Sequence, residues 1–260
     1  MSKKDKFSVP PNAVRVWRGF RLPSLPSEQF YNKLGTVFVP ATVKLQINAG
    51  LHSYAPSVPA GLEGKPDYVP DETAILFWKS QQTYYNGFTR LAVRTYTLTH
   101  GGVYITTTQP MSRADFPILF DGQASLNVDA PVFLFDKNAD WMNGTIRHIV
   151  AERPRTMDAK TFQTNCAKAL TEIQKITSLN GAVACIGDEY LVYWELSALA
   201  PGTNNPESGI PFLLPFLTGW KQVLSPAPTY LPIDIYDEWA GMDVRSGSSF
   251  NMQFKRNETI

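Results

Sequence analysis

The sequence predicts an α+β fold in which one strand–helix–strand–strand–helix–strand unit occurs twice. Three collinear matches between the halves carry this expectation. Residues 15–30 (RVWRGFRLPSLPSEQF) align without a gap on 147–162 (RHIVAERPRTMDAKTF), pairing Arg15 with Arg147, Arg21 with Arg153 and Phe30 with Phe162. Residues 72–78 (ETAILFW) align on 188–194 (DEYLVYW), pairing Trp78 with Trp194. Residues 130–136 (APVFLFD) align on 231–237 (LPIDIYD), pairing Pro131 with Pro232 and Asp136 with Asp237. Collinear self-similarity is read before anything else because it decides the architecture.

The elements follow in order. Residues 13–22 carry Val, Trp and Phe between polar residues, a strand pattern closed by the Pro-Ser cluster at 23–27. Ser27 is a good N-cap, and Glu28 suits the positive end of a helix that runs through Phe30, Leu34 and Phe38. Pro40 should kink or interrupt that helix, and Gly50 should end it. Residues 51–70, rich in Pro, Gly and Ser, read as a long excursion, so the second strand of this half is the least distinct element of the pattern. Residues 73–78 make a short apolar strand. From Ser80 the spacing of Tyr84, Phe88, Leu91 and Thr95 turns helical, and Gly101-Gly102 breaks it. A variable stretch leads to a last strand at 131–135.

In the second half, residues 145–152 form a strand and Asp158 caps a helix. Phe162, Cys166, Ala169, Leu170, Ile173 and Ile176 give that helix the cleanest apolar stripe in the chain. Residues 181–186 and 190–196 form a hairpin across Gly187-Asp188. A loop at 201–209, a helix over 210–224 that Pro215 can break, and a strand at 230–236 complete the unit. The polar tail after Asp243 is expected to be partly disordered. This order is the split βαβ, or ferredoxin-like, motif. The expected organisation is a tail at 1–12, repeats at 13–137 and 138–243, and a tail at 244–260. Each antiparallel sheet carries helices on one face, so the two sheets can cover each other and leave a ligand cavity beside a sheet.

With 260 residues, 43% hydrophobic and 18% charged, the chain can bury a sizeable core. Its 24 basic and 23 acidic side chains nearly cancel, and no clustered cations mark a nucleic-acid groove. The N-terminal residues have no apolar signal region, and the run at 210–217 (IPFLLPFL) is too short to cross a bilayer. Cys166 and Cys185 are too few for a disulfide framework and read as buried thiols. These features point to a cytoplasmic protein, monomer or homodimer, with a hydrophobic small-molecule ligand and neither nucleic acid nor membrane as partner.

The segment AILFWKSQQTYYNGF (74–88), with EYLVYWEL (189–196) as a second, more degenerate copy, resembles the dimeric α+β-barrel superfamily. It looks like that superfamily's third strand ending in Trp, a polar turn, and an aromatic on the second helix. The superfamily includes antibiotic-biosynthesis-type monooxygenases, EthD-like proteins and fused two-repeat haem proteins of the chlorite dismutase type. The resemblance implies an α+β barrel. Its implied chemistries are cofactor-independent oxygenation of aromatics, isomerisation, and haem chemistry of peroxidase or dehydratase type, beside non-catalytic roles. A haem relative would need a proximal histidine, and His100 at the end of a helix is nearest to that position, with His148 the other choice.

No GxSxG, P-loop, HExxH or dinucleotide fingerprint is present, and His52, His100 and His148 are too dispersed to ligate a metal together. The candidates are positional. His148, or Asp234 in an otherwise apolar strand (LPIDIY), would be the general base, with Arg147 stabilising an anion. Arg147 and His148 are adjacent in a strand, so only one of them faces a given cavity. The alignment of Arg15 with Arg147 equally allows a structural carboxylate partner for each arginine. Trp17, Trp78, Tyr84 and Trp194 would wall a hydrophobic site, although Trp78 and Trp194, as repeat mates, suit packing better. The leading expectation is a cofactor-free monooxygenase or isomerase-type acid/base catalyst on a hydrophobic or aromatic substrate. A haem-binding barrel and a non-catalytic scaffold are the alternatives.

Overall fold

The computed structural model describes residues 13–46, 49–57, 66–124, 126–128, 130–135, 139, 141, 145–197, 207–219, 222–226, 229–232 and 252–255. Strand β1 (Ala13–Gly19) leads into a helical stretch made of α1 (Ser27–Lys33), a π turn at Leu34–Phe38, and α2 (Val39–Gln46). Pro26, not Ser27, takes the cap position, and no side chain caps the helix. Pro40 lies inside α2. A proline has no N–H to return to the preceding turn, and the widened π turn directly before it absorbs the mismatch. Gly50, at φ 100°, then turns the chain into β2 (Leu51–Ser57), the strand that the Pro- and Ser-rich composition concealed. β3 (Glu72–Trp78) follows. Ser80 caps α3 (Gln81–Gly87) by accepting from the Thr83 amide at 3.0 Å. The expected single helix is two, because a turn at 88–90 separates α3 from α4 (Leu91–Thr99).

β4 (Arg113–Asp115), three residues long, pairs antiparallel with β1 and is the fourth strand of the unit. Its sheet runs β4-β1-β3-β2, the ferredoxin-like order. After β5 (Ile118–Leu119) and β6 (Val132–Phe133) come β7 (Thr145–Glu152), α5 (Ala159–Ile173), β8 (Leu179–Ile186), β9 (Tyr190–Ser197), α6 (Ile210–Leu213) and β10 (Gln222–Pro226). The second sheet runs β10-β7-β9-β8, the same order again. The helix expected over 210–224 ends at Phe216 in a 3-10 turn, with β10 beyond it.

The strands expected to close each unit do something else. β6 pairs antiparallel with β8, and β5 lies parallel to β6, so the segment after the first unit extends the second sheet. Correspondingly, β12 (Met252–Lys255) pairs antiparallel with β2, and β11 (Thr229–Pro232) lies parallel to β12 on the first sheet. Each sheet reaches six strands by borrowing a pair from the other unit's trailing segment. β12 also shows that the polar C-terminal tail contributes a strand.

The sheets pack face to face. Val14, Val16, Ile75 and Phe77 of the first meet Ile146, Val150, Val192 and Trp194 of the second in one core, with Trp141 tilted on Phe77 at 5.9 Å. A second core lies between the first sheet and α1–α4, and a third between the second sheet and α5–α6. The result is a helix–sheet–sheet–helix stack. Trp78 and Trp194 are not equivalent in it. Trp78 stands opposite Ala13, the first residue of β1, whereas Trp194 stands opposite His148, the fourth of β7. An odd offset of three residues reverses the face, so Trp78 packs under the helices and Trp194 between the sheets.

His148 joins the two sheets. Its ring stacks on Trp194 at 4.7 Å and its Nε2 lies 3.2 Å from Thr73 Oγ1. Burial pushes it down to about 3, far below its ordinary 6.5. The folded pKa is the lower one, so the contribution is intact above pH 6.5 and is lost as pH falls from 6.5 toward 3. The unfolded chain then binds a proton that the folded one refuses, at a cost of up to about 1.4 kcal/mol per pH unit. Urea denaturation between pH 7.5 and 4.5 should show His148→Gln with a shallower acid-side loss of stability than the unsubstituted protein. Parallel slopes would remove His148 from the account.

Candidate functional site

Between the outer face of the first sheet and its helices lies a cavity of about 220 Å³. At roughly 30 Å³ per water it has room for about seven waters. Alternation along β1 aims Arg15 and Trp17 at it, and alternation along β3 aims Glu72 and Leu76. Phe38 from the π turn, Thr42 from α2, Tyr54 from β2, Tyr84 from α3, and Tyr96 and His100 from the end of α4 complete most of the wall.

Glu72 is the chemical centre. The residue is 1% exposed, and its carboxyl accepts from Trp17 Nε1 at 2.9 Å, the Tyr104 hydroxyl at 2.6 Å and the Tyr54 hydroxyl at 3.0 Å. Burial raises its pKa, and the three donors oppose that rise only in part. The Tyr54 and Tyr104 hydroxyls, buried beside the acid, are pushed well above their ordinary range and remain donors.

His100 lies at the same end. Its Nδ1 is 3.1 Å from the carbonyl oxygens of Tyr96 and Thr97. Carbonyls only accept, so Nδ1 carries the proton and the neutral ring offers Nε2 as an acceptor. No hydrogen bond joins Nε2 to a described residue. Burial lowers the His100 pKa below 6.5, against those two carbonyls. The ring stacks on Tyr104 at 5.6 Å and meets the edges of Trp17, Phe38 and Tyr96 at 5.7, 5.2 and 4.8 Å. In the cavity wall, the Tyr96 hydroxyl bonds Thr42 and the Phe38 carbonyl, tying α4 to α2 and the π turn.

Arg15 marks the other end. Its guanidinium lies 3.8 Å over the Tyr84 ring and donates to the Ala114 carbonyl at 2.5 Å. Its buried Nε has no partner. No carboxylate of the described residues lies within ion-pair distance of Arg15; Asp115, whose charge acts on it, is paired with Arg18.

Of the residues singled out in the sequence, Trp17, Tyr84 and His100 meet in this cavity. Trp78 lies behind it, 4.9 Å from Tyr84, as packing. His148 and Trp194 lie between the sheets, and Arg147 lies under the helices of the second unit, 3.1 Å from Glu195. As its place in the strand demands, Arg147 faces away from His148. Asp234 lies outside the described residues. Glu72, Tyr54, Tyr104 and Arg15 carry no site signal in the sequence beyond the even spacing of Glu72 from Trp78, which gives both one face.

A haem would use an imidazole in the form His100 has, with Nδ1–H on backbone carbonyls and Nε2 open. The space does not fit it. The cavity is smaller than the roughly 300–1,000 Å³ of ordinary ligand sites, and four aromatic rings enclose the imidazole. Among the described residues no group of three or more His, Cys, Asp or Glu could hold a metal ion, and no helix is long and apolar enough to cross a membrane.

Two substitutions separate the buried acids. Glu72 has the raised pKa, so its contribution is complete below pH 4.5 and is lost as pH rises through the folded value. Chemical denaturation should therefore find Glu72→Gln more stable relative to the unsubstituted protein at pH 8 than at pH 4. Arg147→Met strands Glu195, which otherwise also accepts from Tyr193, Ser208 and the Gly209 amide. It should lower stability by roughly 3–5 kcal/mol. A loss under about 1 kcal/mol, the range of an exposed pair, would show the ion pair to be dispensable.

No family model matches the chain, and no curated protein matches it. Among solved structures it is similar to an anthrone oxidase-like protein, at 9% identity and TM-score 0.33, covering 82% of this chain and 88% of that one. It is also similar to a dye-decolorizing peroxidase from Bacteroides thetaiotaomicron, at 11% identity and TM-score 0.34, covering 89% and 96%. A third is a DypB variant from Rhodococcus jostii in complex with haem, at 10% identity and TM-score 0.35, covering 89% and 96%. Similarity at this level carries neither a family nor a chemistry to this chain.

Proposed function

We propose that the chain is a small-molecule enzyme whose active site is the cavity of the first unit. It acts by proton transfer on a small planar substrate, in a reaction of the cofactor-independent monooxygenase or isomerase type. His100 is the base: Nε2 takes a proton from substrate, and the two carbonyls on Nδ1–H steady the imidazolium that forms. Trp17, Phe38 and Tyr104 give apolar walls to a ring, and the Glu72–Tyr104 pair meets the substrate's own hydroxyl or carbonyl. The carrying observation is the imprint on His100, a neutral ring with one nitrogen tied to backbone and the other left open beside a buried acid. This assignment moves the base from His148 or Asp234 to His100, and leaves His148 and Arg147 with stability.

A panel of small phenols and enolisable carbonyl compounds, followed by ultraviolet spectra and oxygen uptake, tests it. Turnover is expected for some of the panel, with kcat/KM falling on an acid limb below pH 6.5, where His100 protonates. His100→Gln should lower kcat about 10²- to 10⁴-fold and remove that limb, while affinity stays within a few-fold. Full activity in His100→Gln would sink the assignment. A Soret band on reconstitution with haemin, lost in His100→Ala, would replace it with the haem reading.

A further inference from the structure

The two units treat the same strand position differently. Arg15 and Arg147 are each the third residue of the first strand, and both point to the helix side. Opposite Arg147 in the register stands Glu195, which closes its ion pair. Opposite Arg15 stands Leu76. The first sheet's acid on that face is Glu72, which stands opposite Gly19. Four residues at about 3.3 Å each place it roughly 13 Å along the strand. The cavity therefore has a cationic end at Arg15 and Tyr84, and an acid/base end at Glu72, Tyr104 and His100. Trp17 forms the floor between them.

A guanidinium with a buried Nε, one bonded backbone carbonyl and no carboxylate of the described residues within ion-pair distance is an incomplete site, because Asp115, whose charge acts on it, is paired with Arg18. The partner it lacks is an anion, and a planar carboxylate matches its fork. The far end repels that anion, because Glu72 already draws three donors to its own oxygens. So the charged group of a ligand has one orientation open to it. We propose that the cavity takes a small aryl carboxylate bearing a phenolic hydroxyl, with its carboxylate on Arg15, its ring over Trp17 and its hydroxyl at His100 and Glu72. The inference rests on the reading of this cavity as the active site and names its substrate class. Arg15 acts as the specificity-determining anchor, and the proton transfer occurs at the opposite end.

Isothermal titration with 3-(4-hydroxyphenyl)propionate and with its methyl ester tests the anchor without any substitution. The acid should bind about tenfold or more tighter than the ester. Arg15→Met should bring the two within about twofold, Arg15→Lys should retain part of the preference, and His100→Gln should leave it intact. Equal binding of acid and ester to the unsubstituted protein, or binding of neither, would overturn the proposal whatever the variants do. The two readings fail separately. A preference for the acid in a protein that turns over no phenol keeps Arg15 and discards His100 as base. Turnover of phenols with no preference for the acid does the reverse.

Discussion

The face-to-face packing of the two sheets is the constraint on which everything else depends. With helices on the outside and a second sheet on the inside, the central strands have no solvent face. All seven residues of β3 and all eight of β9 are buried. A polar side chain there is tolerable only when its hydrogen bonds or charge are answered locally. Thus Arg18, fully buried between the sheets, reaches Asp115 at 2.5 Å. His148 stays neutral against Thr73 and Trp194, and Arg147 is matched by Glu195. Against this background, Arg15 without a carboxylate and Glu72 without a cation stand out. Among the described residues they are two ionisable groups on the helix side of the first sheet with no opposite charge within ion-pair distance.

The same constraint set what could be read from the sequence. Strands buried on both faces lose the alternation that marks an amphipathic strand and become apolar runs, as in ETAILFW and YLVYWEL. Those runs are recognisable, as are the α5 stripe, the Asp158 cap, the helical spacing after Ser80 and the hairpin at Gly187-Asp188. The element order was therefore legible. The short or irregular strands were not. β2 contains Pro56, β4 is three residues long, and β10 follows a Pro-rich helix, so none of them has a local signature. Pairing in an antiparallel sheet is decided by partners far away in the chain. The sequence therefore suggests closing strands at 131–135 and 230–236, whereas β6 and β11, the described strands there, each lie in the other unit's sheet.

The site was legible only in fragments for a related reason. Trp17, Tyr84 and His100 could be singled out by residue type, but their meeting depends on the register of β1 on β3 and on the path of α4. The alignment offset of three residues between Trp78 and Trp194 concealed that Glu72, not a residue near Trp78, would face the cavity's chemical end. Glu72 opens its strand, where an acid ordinarily reads as the edge of a turn. Its role follows only when Tyr54, Trp17 and Tyr104, from three other parts of the chain, close on it.

The two units pack their helices on their sheets with side chains of different size. In the second unit α5 turns Cys166 and Ala169 among its larger apolar residues toward a sheet face that includes Ala182 and Ala184. Small residues on both surfaces let helix and sheet approach and leave little between them. In the first unit the facing residues are Phe30, Phe38, Tyr84, Tyr96, Tyr104 and Trp17, meeting edge to face. Rings in that arrangement keep their centroids about 5 Å or more apart and cannot interdigitate like methyl groups. The π turn before Pro40 and the break between α3 and α4 divide the covering layer into short pieces, so no single helix can settle onto the sheet. The aromatic wall that holds the helices off the strands is therefore also the wall that a planar ligand would meet, and packing and recognition in this unit rest on the same rings.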